Sequence, residues 1–170
     1  EASRKLGLSA SRTMQVAQKL YEGITIGSET TGLITYMRTD GVQLGSEAIA
    51  AVRNEIGQRF GNNYLPSTPR AYRTAAANAQ EAHEAIRPTD AKRSPDALRS
   101  YLDHDQARLY DLIWKRTIAS QMQAAELDQT SIDIGNRSGN VTMRASGRVV
   151  VFDGYRSVYQ ESRDSISDAG

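Results

Sequence analysis

"DHDQARLYDLIWKRTIASQMQAAELDQTSIDIG", residues 103–135, changes its period once, and that change decides the fold class. Up to Met122 the apolar residues Leu109, Leu112, Ile113 and Trp114 recur at helical spacing and mark one stripe of a long helix. Asp103, followed three residues later by Gln106, has the form of a capping box, in which each side chain satisfies a backbone N–H near the other. The spacing predicts a helix that opens there and runs through Met122. Beyond Glu126 the pattern alternates instead. "QTSIDIG", "NVTMRAS" and "RVVVFDG" read as three strands, turned at 136–140 and at Gly147. Helices followed by antiparallel strands make an α+β chain.

Working upstream, "EASRKLGLSASRTMQVAQKLYEG" predicts two helices joined at Gly7-Leu8, with Ser9 or Ser11 as N-cap and Gly23 as the stop. Met14, Ala17 and Leu20, with Val16 and Tyr21, fit one buried stripe. Two short helices about a glycine turn also resemble a helix-turn-helix. "ITIGSETTG" reads as a polar connection bounded by glycines, and "LITYM" as a short β-rich run. Ser46 caps "SEAIAAVRNEIGQRFG", where Ile49, Val52, Ile56 and Phe60 recur at spacings of three and four. "NNYLPSTPRAY" is a loop by its prolines. "AAANAQEAHEAI" favours a helix ending near Arg87-Pro88, and Ser94-Pro95 opens the next one. Residues 160–170 are polar and read as a flexible tail.

Composition narrows the class. At 39% hydrophobic and 24% charged residues over 170 positions, the chain has an ordinary globular composition. No run has the length of a membrane span, and no signal segment opens the sequence. Without cysteine, disulfides and thiolate zinc sites are excluded, and two histidines far apart make no metal cage. The net charge of +1 does not by itself nominate nucleic acid. The first twenty residues are more basic, with Arg4, Lys5, Arg12 and Lys19 against Glu1. The opening "EASRKLG" reads as a helix already under way, as expected of a piece of a larger protein.

Two short stretches concentrate chemistry. In "TTGLITYMRTDG", residues 30–41, Tyr36, Arg38 and Asp40 follow one another at intervals of two. If the run is extended, all three project from one face. A phenol of pKa about 10 attacks poorly at neutral pH unless a neighbour stabilises its anion. An arginine beside it does so, and can also neutralise a phosphate under attack. The plain alternative is an amphipathic strand with a packed tyrosine and a surface Arg–Asp pair. In "QEAHEAIRPT", residues 80–89, His83 and Arg87 would share a helical face and could grip a phosphate. Here the plain alternative is a solvated helix with Glu–His–Arg surface pairs. "DHD" at 103–105 superficially resembles a metal-binding Asp-x-Asp, but its place at a helix start makes it an N-cap, and no metal is assigned.

Taken together, "GLITYMRTDG" and "QEAHEAIRPT" resemble the bacterial members of the type IA DNA topoisomerase family. The flanking "EASRKLG", "TMQVAQKLYEG", "LYDLIWKRTIASQM" and "ASGRVVVFDGY" are similar to the same family in the same order, up to about Tyr159. The resemblance implies that Tyr36 is the nucleophile, forming a transient 5′-phosphotyrosine link with single-stranded DNA and freeing a 3′-hydroxyl. DNA passes through the break, which is then religated without ATP, relaxing negative supercoils. It further implies that Arg38 contacts the scissile phosphate and that His83 binds DNA phosphate nearby. Asp40, Glu81 and Arg87 belong to the matching motifs as support. The family's Mg²⁺ site lies in an N-terminal Toprim domain outside this chain, so no cofactor is expected within it, and the piece alone is expected to be inactive.

In domain terms the resemblance implies a helix-rich, winged-helix-like (CAP-like) tyrosine-bearing unit over 1–123. A β-rich segment of the family's arch follows over 124–159. The partners implied are DNA and the remaining domains of the same polypeptide, with no membrane, in the cytoplasm at the nucleoid. Two departures are visible: Gly41 stands where the family often has serine, and 24–31 resembles a short insertion. The competing functions are a non-enzymatic helix-turn-helix DNA-binding module and, more remotely, a tyrosine recombinase fragment. The latter needs an Arg–His–Arg set that is not evident here.

Overall fold

The computed structural model describes residues 1–39, 41–72, 84–135, 138 and 142–160. Its spine is the helix opened by Asp103. Here α5 spans His104–Ser120, and both halves of the capping box are present: Asp103 Oδ1 accepts from the Gln106 N–H at 2.8 Å, and Gln106 Oε1 from the Asp103 N–H at 2.9 Å. Around it pack α1 (Ala2–Leu6), α2 (Ala10–Glu22), α3 (Ser46–Arg59) and α4 (Pro95–Leu98). Val16, Ala17 and Leu20 of α2, Val52 and Ile56 of α3, and Leu109, Tyr110, Trp114 and Ile118 of α5 form one buried cluster. Full burial of each large side chain contributes about 1.5–3 kcal/mol. The two polar aromatics are satisfied as well: Tyr110 donates to the Arg93 carbonyl at 2.7 Å and Trp114 Nε1 to that of Ala91 at 2.9 Å.

Several expectations need correction. Ser9 caps α2, accepting from the Arg12 N–H, but Met14 and Tyr21 face solvent rather than the core. Gly45, not Ser46, is the N-cap of α3. The connection after Gly23 is a small hairpin, β1 (Ile24–Ile26) against β2 (Glu29–Thr31), closed by the two-residue Gly27-Ser28 turn. "LITYM" forms no strand, only a single antiparallel bridge from Ile34 to Pro88. The expected helix over 75–86 falls mostly outside the described residues, and its last three positions, 84–86, are not helical.

Downstream there are two long strands rather than three short ones. β3 (Glu126–Gly135) pairs antiparallel with β4 (Thr142–Phe152), and Gly147 sits in the ladder opposite Thr130. The glycine reads as a turn in sequence, yet cross-strand pairs on both sides hold the register: Ser131 with Ser146, Gln129 with Arg148, and Asp133 with Arg144. These pairs line one face. The opposite face presents Ile132, Ile134, Met143 and Val149, all exposed. No helix among the described residues is long and apolar enough to cross a membrane.

Candidate active site

Position begins at Gly32. A Cβ built there would lie 2.5 Å from the Tyr21 carbonyl oxygen, so the chain can press against the end of α2 only as glycine. The Leu33 N–H then donates to the Leu20 carbonyl at 2.7 Å. Gly32→Ala is expected to destabilise the protein by about 1–3 kcal/mol through that overlap. A lowered unfolding midpoint in urea checks it, and an unchanged midpoint would show that the turn can draw back freely.

From this anchor, residues 32–35 zip against 85–89. The Thr35 N–H donates to the Arg87 carbonyl at 2.9 Å, and the Thr89 N–H to that of Leu33 at 3.0 Å. Thr35 Oγ1 donates to the Ala85 carbonyl and accepts from the Arg87 N–H, while Thr89 Oγ1 donates to the Gly32 carbonyl. A second bridge joins Gln43 to Glu84, with the Ala85 N–H donating to the Gln43 carbonyl at 2.8 Å. The two motif-bearing stretches, far apart in sequence, are thus one piece of backbone structure.

Within it Leu33 and Ile34 are buried and Met37 is 7% exposed, whereas Tyr36 is 58% exposed. The Arg38 N–H turns back to the Tyr36 carbonyl at 2.9 Å, a tight turn instead of the extended run expected. Burial still alternates, with Tyr36 out, Met37 in and Arg38 half-buried. The Tyr36 ring meets Tyr21 edge-on, centroids 5.4 Å apart. This geometry suits aromatic pairs and limits how far the ring can swing.

Arg87 takes a different part from the one its spacing implies. It does not lie on a helix, and its guanidinium forks onto Glu84, Nε to Oε1 at 2.8 Å and Nη2 to Oε2 at 3.1 Å, with Nη1 on the Pro88 carbonyl. Glu84 also accepts from the Gly45 N–H at 3.0 Å. Burial pushes the Glu84 carboxyl up, but the Arg87 fork and the Gly45 N–H outweigh it and hold it below the ordinary carboxylate range. The pair therefore ties the start of α3 to the 84–89 segment. Sequence reasoning passed over Glu84 and Tyr21. Glu84 has a visible signal in its three-residue spacing from Arg87; Tyr21 is hidden by its place in an apolar-looking stripe.

Asp40, Glu81 and His83 lie outside the described residues. Among the described ones no group of three or more His, Asp or Glu side chains converges as a metal site. The capping box explains Asp103 and leaves "DHD" as a helix start.

The comparisons fit this arrangement. The DNA topoisomerase family model matches residues 1–168. DNA topoisomerase 1 of Rickettsia conorii is 53% identical over 168 residues, covering 99% of this chain and 22% of that protein. DNA topoisomerase 1 of Xylella fastidiosa is 51% identical over 166 residues, covering 97% of this chain and 20% of the relative. The solved structure of full-length topoisomerase I from Thermotoga maritima superposes with a TM-score of 0.82 at 37% identity, over 96% of this chain and 26% of that one. With its matched residues running from the first helix to the tail, the chain belongs to the bacterial type IA DNA topoisomerase family and spans about a fifth of the length of these relatives.

Proposed function

We propose that this chain is the tyrosine-bearing part of an enzyme that breaks and rejoins one DNA strand. The Tyr36 oxygen attacks a backbone phosphorus, the bond from phosphorus to the 3′-oxygen breaks, and the phenolic proton is lost as the departing oxygen gains one. The strand end is then held as a 5′-phosphotyrosine ester. Because the ester conserves the phosphodiester's energy, the free 3′-hydroxyl can reverse the step without ATP, after DNA has passed through the gap. Relaxation of negative supercoils follows.

One observation carries the reading: an exposed phenol mounted on a buried, hydrogen-bonded crossing of two motif-bearing segments, with an arginine two residues on. A nucleophile needs just such a fixed base and an open face. Arg38 is read as the cation that offsets charge on the phosphate. His83, Asp40 and Glu81 are read as phosphate-binding or supporting groups beside it. Arg87, forked onto Glu84, is a positioning residue. Mg²⁺ belongs, on this reading, to a Toprim domain elsewhere in the polypeptide; the residues described here offer it no donor set, and no step is routed through it.

The helical part, 1–123, is read as a winged-helix-related DNA-binding unit. The segment 124–159 is read as a strand pair belonging to a larger β-rich arch. The open apolar face of β3–β4 supports this, since a lone two-stranded ribbon rarely leaves so much unpartnered. The enzyme is placed on DNA in the cytoplasm.

The polarity of the covalent link tests the reading. A single-stranded oligonucleotide labelled in turn on each side of the cleavage site is incubated with the full-length enzyme and quenched with detergent. The label downstream of the break is expected to travel with the protein. A protein-linked upstream label would mean a 3′-linkage and the recombinase class instead.

A further inference from the structure

A second cleft, distinct in its lining from the Tyr36 surface, lies where residues 70–72 cross the end of α5 and meet the 3₁₀ turn Gly154–Ser157. It encloses about 320 Å³ and is lined by Arg70, Tyr72, Arg116, Ser120, Tyr155 and Tyr159, among small apolar neighbours. That volume sits at the small end of ligand clefts, enough for one base with its phosphate. Among the described residues its lining holds two guanidinium groups and no carboxylate.

The way this cleft is held is unusual. Gln121, 1% exposed, clasps the backbone of Arg70 in both directions: the Arg70 N–H donates to its Oε1 at 3.2 Å, and its Nε2 donates to the Arg70 carbonyl at 3.0 Å. Arg70 Nε donates to the Met122 carbonyl at 2.8 Å, which fixes the guanidinium plane and leaves its terminal nitrogens as donors. Tyr72 donates its hydroxyl to the Ser120 carbonyl at 2.8 Å, yet the residue is 46% exposed. A tyrosine normally buries its ring and leaves the hydroxyl wet. Here the hydroxyl is tied down and the ring is offered to solvent.

Across the cleft, Tyr155 is 37% exposed and is seated by Gly154. That glycine has a φ of 50°, and a Cβ on it would lie 2.6 Å from the backbone of Gln123 and Ala124. The Tyr155 N–H donates to the Gln123 carbonyl at 2.9 Å. Arg116 engages Glu1 and the Tyr159 hydroxyl through Nη1, and its side chain remains 48% exposed. Tyr159 is itself buried under Arg116 and Lys5, so its ring is already covered.

Two exposed phenol rings on rigid backbone, with two arginines beside them, match what a single strand of nucleic acid asks for: a flat face for a base and a cation for the phosphate that follows it. We propose that this cleft binds a nucleotide of single-stranded DNA, stacking its base on Tyr72, with Tyr155 across the cleft, and seating the adjoining phosphate on Arg70 and Arg116. The site gives the enzyme a hold on the strand apart from the reacting phosphate. The inference rests on the reading that the enzyme acts on single-stranded DNA.

The test uses the full-length enzyme and a fluorescein-labelled oligothymidylate, titrated by anisotropy at fixed salt. Tyr72→Leu, which removes the ring and keeps apolar bulk, is expected to weaken binding roughly tenfold. Tyr72→Phe keeps the ring, loses the bond to Ser120, and is expected to stay within about twofold of the parent. Irradiating the parent enzyme on an iodouracil-substituted strand is expected to cross-link the peptide carrying Tyr72 or Tyr155. Equal weakening by Phe and Leu would assign Tyr72 a structural role and overturn the proposal, as would unchanged binding by Tyr72→Leu or cross-links confined to other peptides. A parent enzyme that binds no oligonucleotide would defeat the broader reading of function, whereas normal parental binding with an unaffected Leu variant defeats the cleft alone.

Discussion

Tyr36→Phe in the full-length enzyme is expected to abolish DNA cleavage while leaving fold and noncovalent DNA binding near normal. The substitution removes one oxygen, the proposed nucleophile, and on that reading leaves no second route to a covalent intermediate. Stability should hardly change for a reason visible in the structure. Tyr36 is 58% exposed, so deleting its hydroxyl strands no buried partner, and the edge-on contact with Tyr21 at 5.4 Å uses the ring alone. Detergent-trapped adduct on a labelled oligonucleotide measures cleavage, and an anisotropy titration on the same strand measures binding. The expected pair of results is no adduct with near-parental affinity. Adduct at parental yield in the phenylalanine variant would move the nucleophile to another residue. Loss of adduct together with loss of binding would instead make Tyr36 a binding or structural residue.

Where the chain speaks through short-range rules, the sequence is a good guide. Asp103 and Gln106 declare the start of α5 because a capping box is local chemistry, and Ser94-Pro95 opens α4 for the same reason. The failures have a common cause, since each depends on what lies across the chain rather than along it. "LITYM" carries β-forming residues, but its partner is the 85–89 segment, whose proline allows one bridge and no ladder. Gly147 looks like a turn, yet the pairing of its neighbours with Gln129 and Ser131 carries β4 straight through it. Tyr21 fits the apolar stripe of α2 by spacing, but it sits at the last turn, where the stripe runs off the core and the ring reaches Tyr36.

The site itself was legible as two motifs and illegible as one object. Nothing in "YMRTD" or "EAIRPT" says that Thr35 and Thr89 stitch the two together, because threonine hydroxyls bond to whatever backbone is near. The i, i+4 argument for His83 and Arg87 presumes a helix, and Arg87 is not on one. Its fork onto Glu84 explains why an arginine rather than a lysine suits that position: only the planar guanidinium can hold both carboxylate oxygens and the Pro88 carbonyl together.

Arg38 differs from Arg87 in where it sits. It is half-buried, on the same short turn as Tyr36, and its backbone N–H closes that turn onto the Tyr36 carbonyl. If it stabilises charge growing on the scissile phosphate, Arg38→Ala should slow single-turnover cleavage by a factor on the order of a hundred to a thousand, since a preorganised electrostatic partner is worth about 3–4 kcal/mol. Noncovalent affinity should fall far less, because many other phosphate contacts share the binding. Arg38→Lys should restore only part of the rate, as lysine keeps the charge and loses the bidentate fork. An arginine serving only a surface ion pair predicts something else: under about 1 kcal/mol of stability lost and near-normal turnover. Rates from a labelled oligonucleotide, set beside a titration at the same salt, separate the two. Near-parental cleavage by the alanine variant would return Arg38 to the surface pair. A large loss of affinity in step with the rate would make it a general DNA contact that adds nothing further in the transition state.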